Sequence, residues 1–142
     1  MARPAESGLI FIARIALAIL FLWGGVMKLV GYAGFVSYLQ SKGVPYPQIG
    51  APIATAIEVV GGVFLVVGFV TRPLAILLAA YSIATAVLGH DFWNVANAAE
   101  QHDMVIHFWK NVGIAGGFLL LSVTGAGGVS IDAARAPRRR SL

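Results

Sequence analysis

Four apolar stretches, Leu9–Val30, Ala51–Val70, Pro73–Gly89 and Met104–Val123, take up more than half of the 142 residues. A helix rising ~1.5 Å per residue needs about 20 residues to cross ~30 Å of hydrocarbon, so three of the stretches span a bilayer comfortably and the third does so with little tilt. Backbone groups in lipid must be bonded internally, and the strict apolar–polar alternation of a barrel is absent, so the stretches are helices. Composition agrees: 58% of residues are hydrophobic and 11% charged, with mean hydropathy +0.83, outside the range of soluble domains. The expected fold is all-α, a polytopic membrane four-helix bundle. Arg3 ahead of an apolar run imitates a secretory signal, but Arg14 interrupts the run and no small-x-small cleavage site follows, so the segment is expected to be retained.

Lysine and arginine outside the spans set the orientation. Arg3, Arg72, Arg135, Arg138, Arg139 and Arg140 fall on one side and only Lys42 on the other, while the last connector carries Asp91, Glu100 and Asp103. The positive-inside rule then makes both termini cytoplasmic, with 124–142 a basic cytoplasmic tail. The arginine cluster so close to a span reads as a topology anchor, and nucleic acid is discarded as a partner. The absence of cysteine excludes disulfides, thiol redox chemistry, thiolate metal ligation and covalently attached haem.

The connectors differ in kind. Thr71-Arg72 alone separates the second and third spans, with Pro73 expected at the first helical position, which makes those helices an antiparallel hairpin. The loop from Gly31 to Gly50 places Phe35, Val36, Tyr38 and Leu39 close together before Gly43, Pro45 and Pro47. It is either an interfacial lid over the bundle or a connector anchored by aromatics, and the connector is the simpler reading. Trp93 and Trp109 read first as interface-belt residues.

An isolated carboxylate in a span needs a buried partner or a changed protonation state, which makes Glu58 the residue most indicative of function. Glu58 lies about seven residues, ~10 Å, in from the outer end of its span, and Lys28 lies at the outer end of the first. His107, Lys110 and Asn111, at i, i+3 and i+4, share one face of the fourth helix at a comparable depth. Arg14 stands apart as a buried charge toward the cytoplasmic side, although its heptad spacing with Phe21 and Lys28 points it into the bundle. The third helix offers only Tyr81, Ser82 and Thr85 and is expected to contribute packing through Ala80 and Ala84. Gly24, Gly25, Gly61, Gly62, Gly113, Gly116 and Gly117 accompany the charges, as residues that let membrane helices approach closely. His90 and His102 read as solvated loop residues, and their spacing with Asp91 and Asp103 matches no closed metal motif, so no metal site is expected.

Arg14, the run Leu22-Trp23-Gly24-Gly25-Val26-Met27-Lys28-Leu29, the run Glu58-Val59-Val60-Gly61-Gly62 with Gly68-Phe69-Val70-Thr71-Arg72-Pro73, and His107-Phe108-Trp109-Lys110-Asn111 with Gly116-Gly117 together resemble the DoxX family of small bacterial membrane proteins. The resemblance covers all four helices and implies a single DoxX-like domain over 1–142 in the bacterial inner membrane. It also implies a link to quinone-dependent thiosulfate oxidation, to oxidative-stress and thiol complexes, or to catechol and quinone resistance.

Three functions are compatible with these residues. In the preferred one, Lys28, Glu58, His107, Lys110 and Asn111 line a periplasmic-side pocket of a quinone-linked oxidoreductase subunit. Quinone is then the non-covalent ligand, Trp23 or Trp109 stacks on it, and electrons come from a partner. In the second, the charges only hold the bundle of an assembly subunit, within a homo-oligomer or a larger complex. The third, an exporter of small aromatics, is disfavoured because four helices without broken segments make an incomplete transporter.

Overall fold

The computed structural model describes residues 4–136, so the expected anchors Arg3, Arg138, Arg139 and Arg140 lie outside the described residues. Six α-helices follow one another: α1 Pro4–Val30, α2 Tyr32–Ser41, α3 Pro47–Val67, α4 Thr71–Gly89, α5 Ala98–Thr124 and α6 Ile131–Arg135, with a 3-10 turn at Phe92–Asn94 before α5. No strand occurs among the described residues. Among the described residues, α1, α3, α4 and α5 are the four helices long and apolar enough to cross a membrane.

Each spanning helix begins before its apolar stretch, while α3 ends at Val67, short of Val70. α3 starts at Pro47, four residues before the apolar run, and stops where Gly68 adopts φ 64°. Asn97 caps α5, its side chain accepting from the Ala99 and Glu100 amides at 3.0 and 3.1 Å. Pro73 falls third in α4, not first, since the helix opens at Thr71. Its missing N–H is still harmless within the first turn.

α1 packs along α3, and α4 along α5, so the bundle consists of two helix pairs. Ala18, Phe21, Leu65, Ala75, Leu78, Ala79, Ala115, Phe118 and Leu121 form the core between them, with Phe21 set edge-on to Phe118 at 5.2 Å. Close approach of α1 to α3 depends on glycine. A Cβ on Gly25 would lie 2.7 Å from Val59, and one on Gly62 2.7 Å from Leu22. Gly113 and Gly116, by contrast, face open space and serve no such contact.

The packing face of α4 is Ala75, Leu78, Ala79, Ser82 and Ala86. Ala80 and Ala84, the expected packing pair, point outward instead. Large side chains such as Leu9, Val30, Leu120 and Val123 are 69–78% exposed around the molecule's girth. An apolar surface this extensive is stable only against lipid.

Residues 125–136, which follow α5, fold back onto the bundle. Arg14 is 1% exposed and donates to the carbonyls of Ala126, Val129 and Val66, the last two at 2.7 and 3.3 Å. Gly128 N–H donates to Ser7 Oγ at 3.1 Å, and Asp132 accepts from the Val70 and Thr71 amides at 2.8 Å each. Residues 125–136 thus form a strap that closes one end of the bundle. Arg14 needs no carboxylate in contact, because backbone carbonyls, including one from the negative end of α3, surround it.

Candidate functional site

At the opposite end of the bundle, the carboxylate of Glu58 is buried and fully occupied. Lys28 Nζ donates to both its oxygens at 2.8 and 2.7 Å, and Tyr81 Oη donates to Oε1 at 2.7 Å. Gly24 is what admits this pair, since a Cβ there would sit 2.9 Å from Glu58 Oε2. The isolated intramembrane carboxylate therefore has its buried partner, and one further donor that sequence reasoning missed. α4 contributes more than packing: its Tyr81 joins the α4–α5 pair to the α1–α3 pair through one hydrogen bond.

This network forms one side of a cavity of ≈ 220 Å³ whose lining includes Lys28, Glu58, Tyr81, His107, Lys110 and Asn111. All five polar residues singled out from spacing and depth meet there, supplied by α1, α3 and α5. The cavity exists because α5 is asymmetric. Its buried residues, Ala115, Phe118 and Leu121, lie in its C-terminal half, while the half carrying His107 and Lys110 stands away from the core.

The two sides of the cavity differ chemically. On one side, every oxygen of Glu58 is hydrogen-bonded. On the other, Lys110 is exposed and has no hydrogen-bond or ion-pair partner among the described residues. Asn111, which also lines the cavity, donates one amide N–H to the His107 carbonyl at 3.0 Å. His107 stacks on His90 with ring centroids 5.1 Å apart and planes 20° from parallel. His90 is thus half-buried against α5 and is not a solvated loop residue; His102 is exposed. The Lys110 ammonium, the His107 imidazole and the Asn111 amide thus share one cavity wall, and the first two are groups chemically able to donate to an oxygen acceptor.

Trp23 and Trp109 lie elsewhere. They are 69% and 61% exposed, and neither lines the cavity. Trp23 precedes Gly24, and one residue along a helix turns the side chain ~100° away from the face that meets Glu58. Trp109 packs edge-on to Phe108 at 5.5 Å, in an aromatic group with Phe92 and Trp93 suited to a membrane interface.

A second cavity, ≈ 280 Å³ and almost wholly apolar, opens on the α3–α4 seam beneath α2. The Gly31–Gly50 connector, read as an interfacial lid or an aromatic anchor, contains the ten-residue helix α2. It is fastened to the end of α4 by Tyr38 Oη donating to the Gly89 carbonyl at 2.6 Å and by the Lys42–Asp91 ion pair. Lys28 Nζ also lies over the Phe35 ring at 5.2 Å. Asp91 raises the Lys42 ammonium above its ordinary value, chiefly through their hydrogen bond.

Comparison with known proteins fits this architecture. The DoxX sequence profile matches residues 9–91. The chain is 47% identical over 131 residues to the inner membrane protein YphA of Escherichia coli (strain K12), covering 92% of this chain and 91% of that one. It is 40% identical over 130 residues to the inner membrane protein YqjF of the same organism, covering 92% and 94%. No solved structure matches. The four spans, the profile match and these two relatives together establish that the chain is a multi-pass inner-membrane protein belonging to the DoxX family.

Proposed function

We propose that the polar cavity binds a quinone or a similar planar ligand with oxygen acceptors, and that the protein is the membrane subunit of a quinone-linked oxidoreductase or oxidative-stress system. The observation that carries this reading is Lys110, an exposed cation within a span that has no hydrogen-bond or ion-pair partner among the described residues, on one cavity with His107 and Asn111. An uncompensated charge at membrane depth is costly, and a ligand oxygen would offset that cost. The cavity is smaller than the ~300–1,000 Å³ of drug-sized ligand sites, which suits a single ring.

Lys110 and His107 would donate to the ring oxygens, with His107 also positioned to pass a proton. Reduction of a quinone to its quinol takes up two electrons and two protons. The chain holds no cysteine, so an electron-donating partner is part of the proposal. The distribution of arginines supports a periplasmic-side cavity and a cytoplasmic strap.

The second reading, a non-catalytic assembly subunit, is favoured by the Lys28–Glu58–Tyr81 network, which is complete without any ligand. The two readings separate on what leaves the membrane with the purified protein. Bound quinone, lost in Lys110→Ala and His107→Ala variants that keep their melting temperature, supports the first. A stoichiometric protein partner and no quinone, with the partner lost in the same variants, supports the second.

A further inference from the structure

The two cavities adjoin one another. Tyr81 and Thr85, one turn apart on α4, line both the polar cavity and the apolar one, and Tyr81 holds its place through its hydrogen bond to Glu58. On one side of Tyr81 and Thr85 are Lys110, His107 and Asn111. On the other are Phe35, Leu39, Ile53, Ala54, Ala84 and Leu88, with α2 as the roof.

Each cavity alone is below the volume of a typical ligand site, and together they reach it. Ile53 at 55% exposure and Leu88 at 53% flank the apolar slot on the outside of the bundle, so its mouth faces lipid and a hydrocarbon chain can enter without crossing water. The chemistry on either side of Tyr81 is that of one amphiphile, a polar ring joined to an apolar chain.

Building on the quinone reading above, we propose that the slot beneath α2 is a tail site, and that the ligand is a long-chain quinone whose head occupies the polar cavity while the first part of its chain runs past Tyr81 and Thr85 into the slot. α2 then acts as a cover that orders the chain. The Tyr38–Gly89 hydrogen bond and the Lys42–Asp91 pair hold that cover shut.

The test compares a tail-free benzoquinone with its decyl-substituted counterpart, titrated into the full chain in nanodiscs of fixed lipid composition. Ala84→Phe and Ala54→Ile fill the slot from two different helices without touching the polar cavity. The chain arrives from lipid, so only packing in the slot distinguishes the two compounds beyond their partitioning into the nanodisc, and the wild type should prefer the decyl compound by about fivefold or more over that partitioning ratio. That preference should collapse toward the value set by lipid partitioning alone in either variant that retains the wild-type melting temperature, while the tail-free compound binds unchanged. An equal preference in wild type and variants overturns the tail site and leaves the head site standing. Failure of both compounds to bind the wild type overturns both.

Discussion

Glu58 shows why an acid can be kept inside an apolar helix: Gly24 removes the side chain that would block it, Lys28 neutralises it, and Tyr81 satisfies the remaining acceptor. Removing only the carboxylate strands the ammonium. Breaking a buried pair this way costs up to ~3–5 kcal/mol, whereas polar contacts within membranes average ~0.6. With the Lys28 side chain 24% exposed, Glu58→Gln should fall between these, seen as a lower melting temperature in detergent. Adding Lys28→Met should restore part of the loss; strictly additive losses would show that the two are uncoupled. Tyr81→Phe should cost about 1 kcal/mol, the usual net value of one hydrogen bond. The charged members of this site are legible in the sequence because ionisable residues are rare in an apolar background and each stands out at a definite depth. Tyr81 is not, since a tyrosine in a span reads equally as packing or as an interface anchor until its hydroxyl is seen to reach Glu58.

Among the elements, the strap 125–136 was the least legible. Its acceptors are backbone carbonyls, which leave no signature in side-chain identity, so Arg14 advertised a buried cation without naming what receives it. Asp132 is equally silent in sequence, because it caps α4 from 61 residues away in the case of Thr71 and not from the adjoining turn. Val70 adopts φ 44°, an unfavourable conformation for a β-branched residue, and the Asp132 carboxylate holds its amide. Arg14→Met should therefore release the strap. Amide exchange at Asp132, whose N–H donates to the Gly68 carbonyl at 2.9 Å, should accelerate while the core of α1 stays protected. Unchanged exchange there would show that the strap is held by other contacts.

The same clamp should respond to acid. Partial burial pushes the Asp132 carboxyl up, but hydrogen bonds from Thr71 and Val70 and the charge of Arg135 outweigh it and hold the group below its ordinary value. A carboxyl depressed on folding stabilises above its unfolded pKa, ~3.9, and loses that contribution as pH falls through the folded value. Strap protection should thus fade below about pH 4. Asp132→Ala should remove about 1 kcal/mol at neutral pH, the typical value of a helix cap, and flatten the acid response.

At the scale of the whole molecule, the four spans were readable because ~20 apolar residues in succession leave the chain no other fold in lipid. The pairing of α1 with α3 and α4 with α5 was not, since it depends on which small residues face one another. Gly25 and Gly62 make contacts that Gly113 and Gly116 do not, yet all four look alike in sequence. The arginine distribution makes a topological prediction for the intact chain: reporters fused after Arg140 should read cytoplasm and those near Glu100 periplasm.

The central claim, that the polar cavity is a ligand site and not only a brace, is tested most directly by photolabelling the protein in native membranes with a photoreactive quinone and mapping the adducts by mass spectrometry. Labelling should concentrate on the cavity segments around Tyr81 and His107–Asn111, compete with unlabelled quinone, and drop in Lys110→Ala at unchanged protein level. Adducts spread evenly over lipid-facing residues such as Leu120 and Val123, insensitive to competitor and to Lys110→Ala, would contradict it.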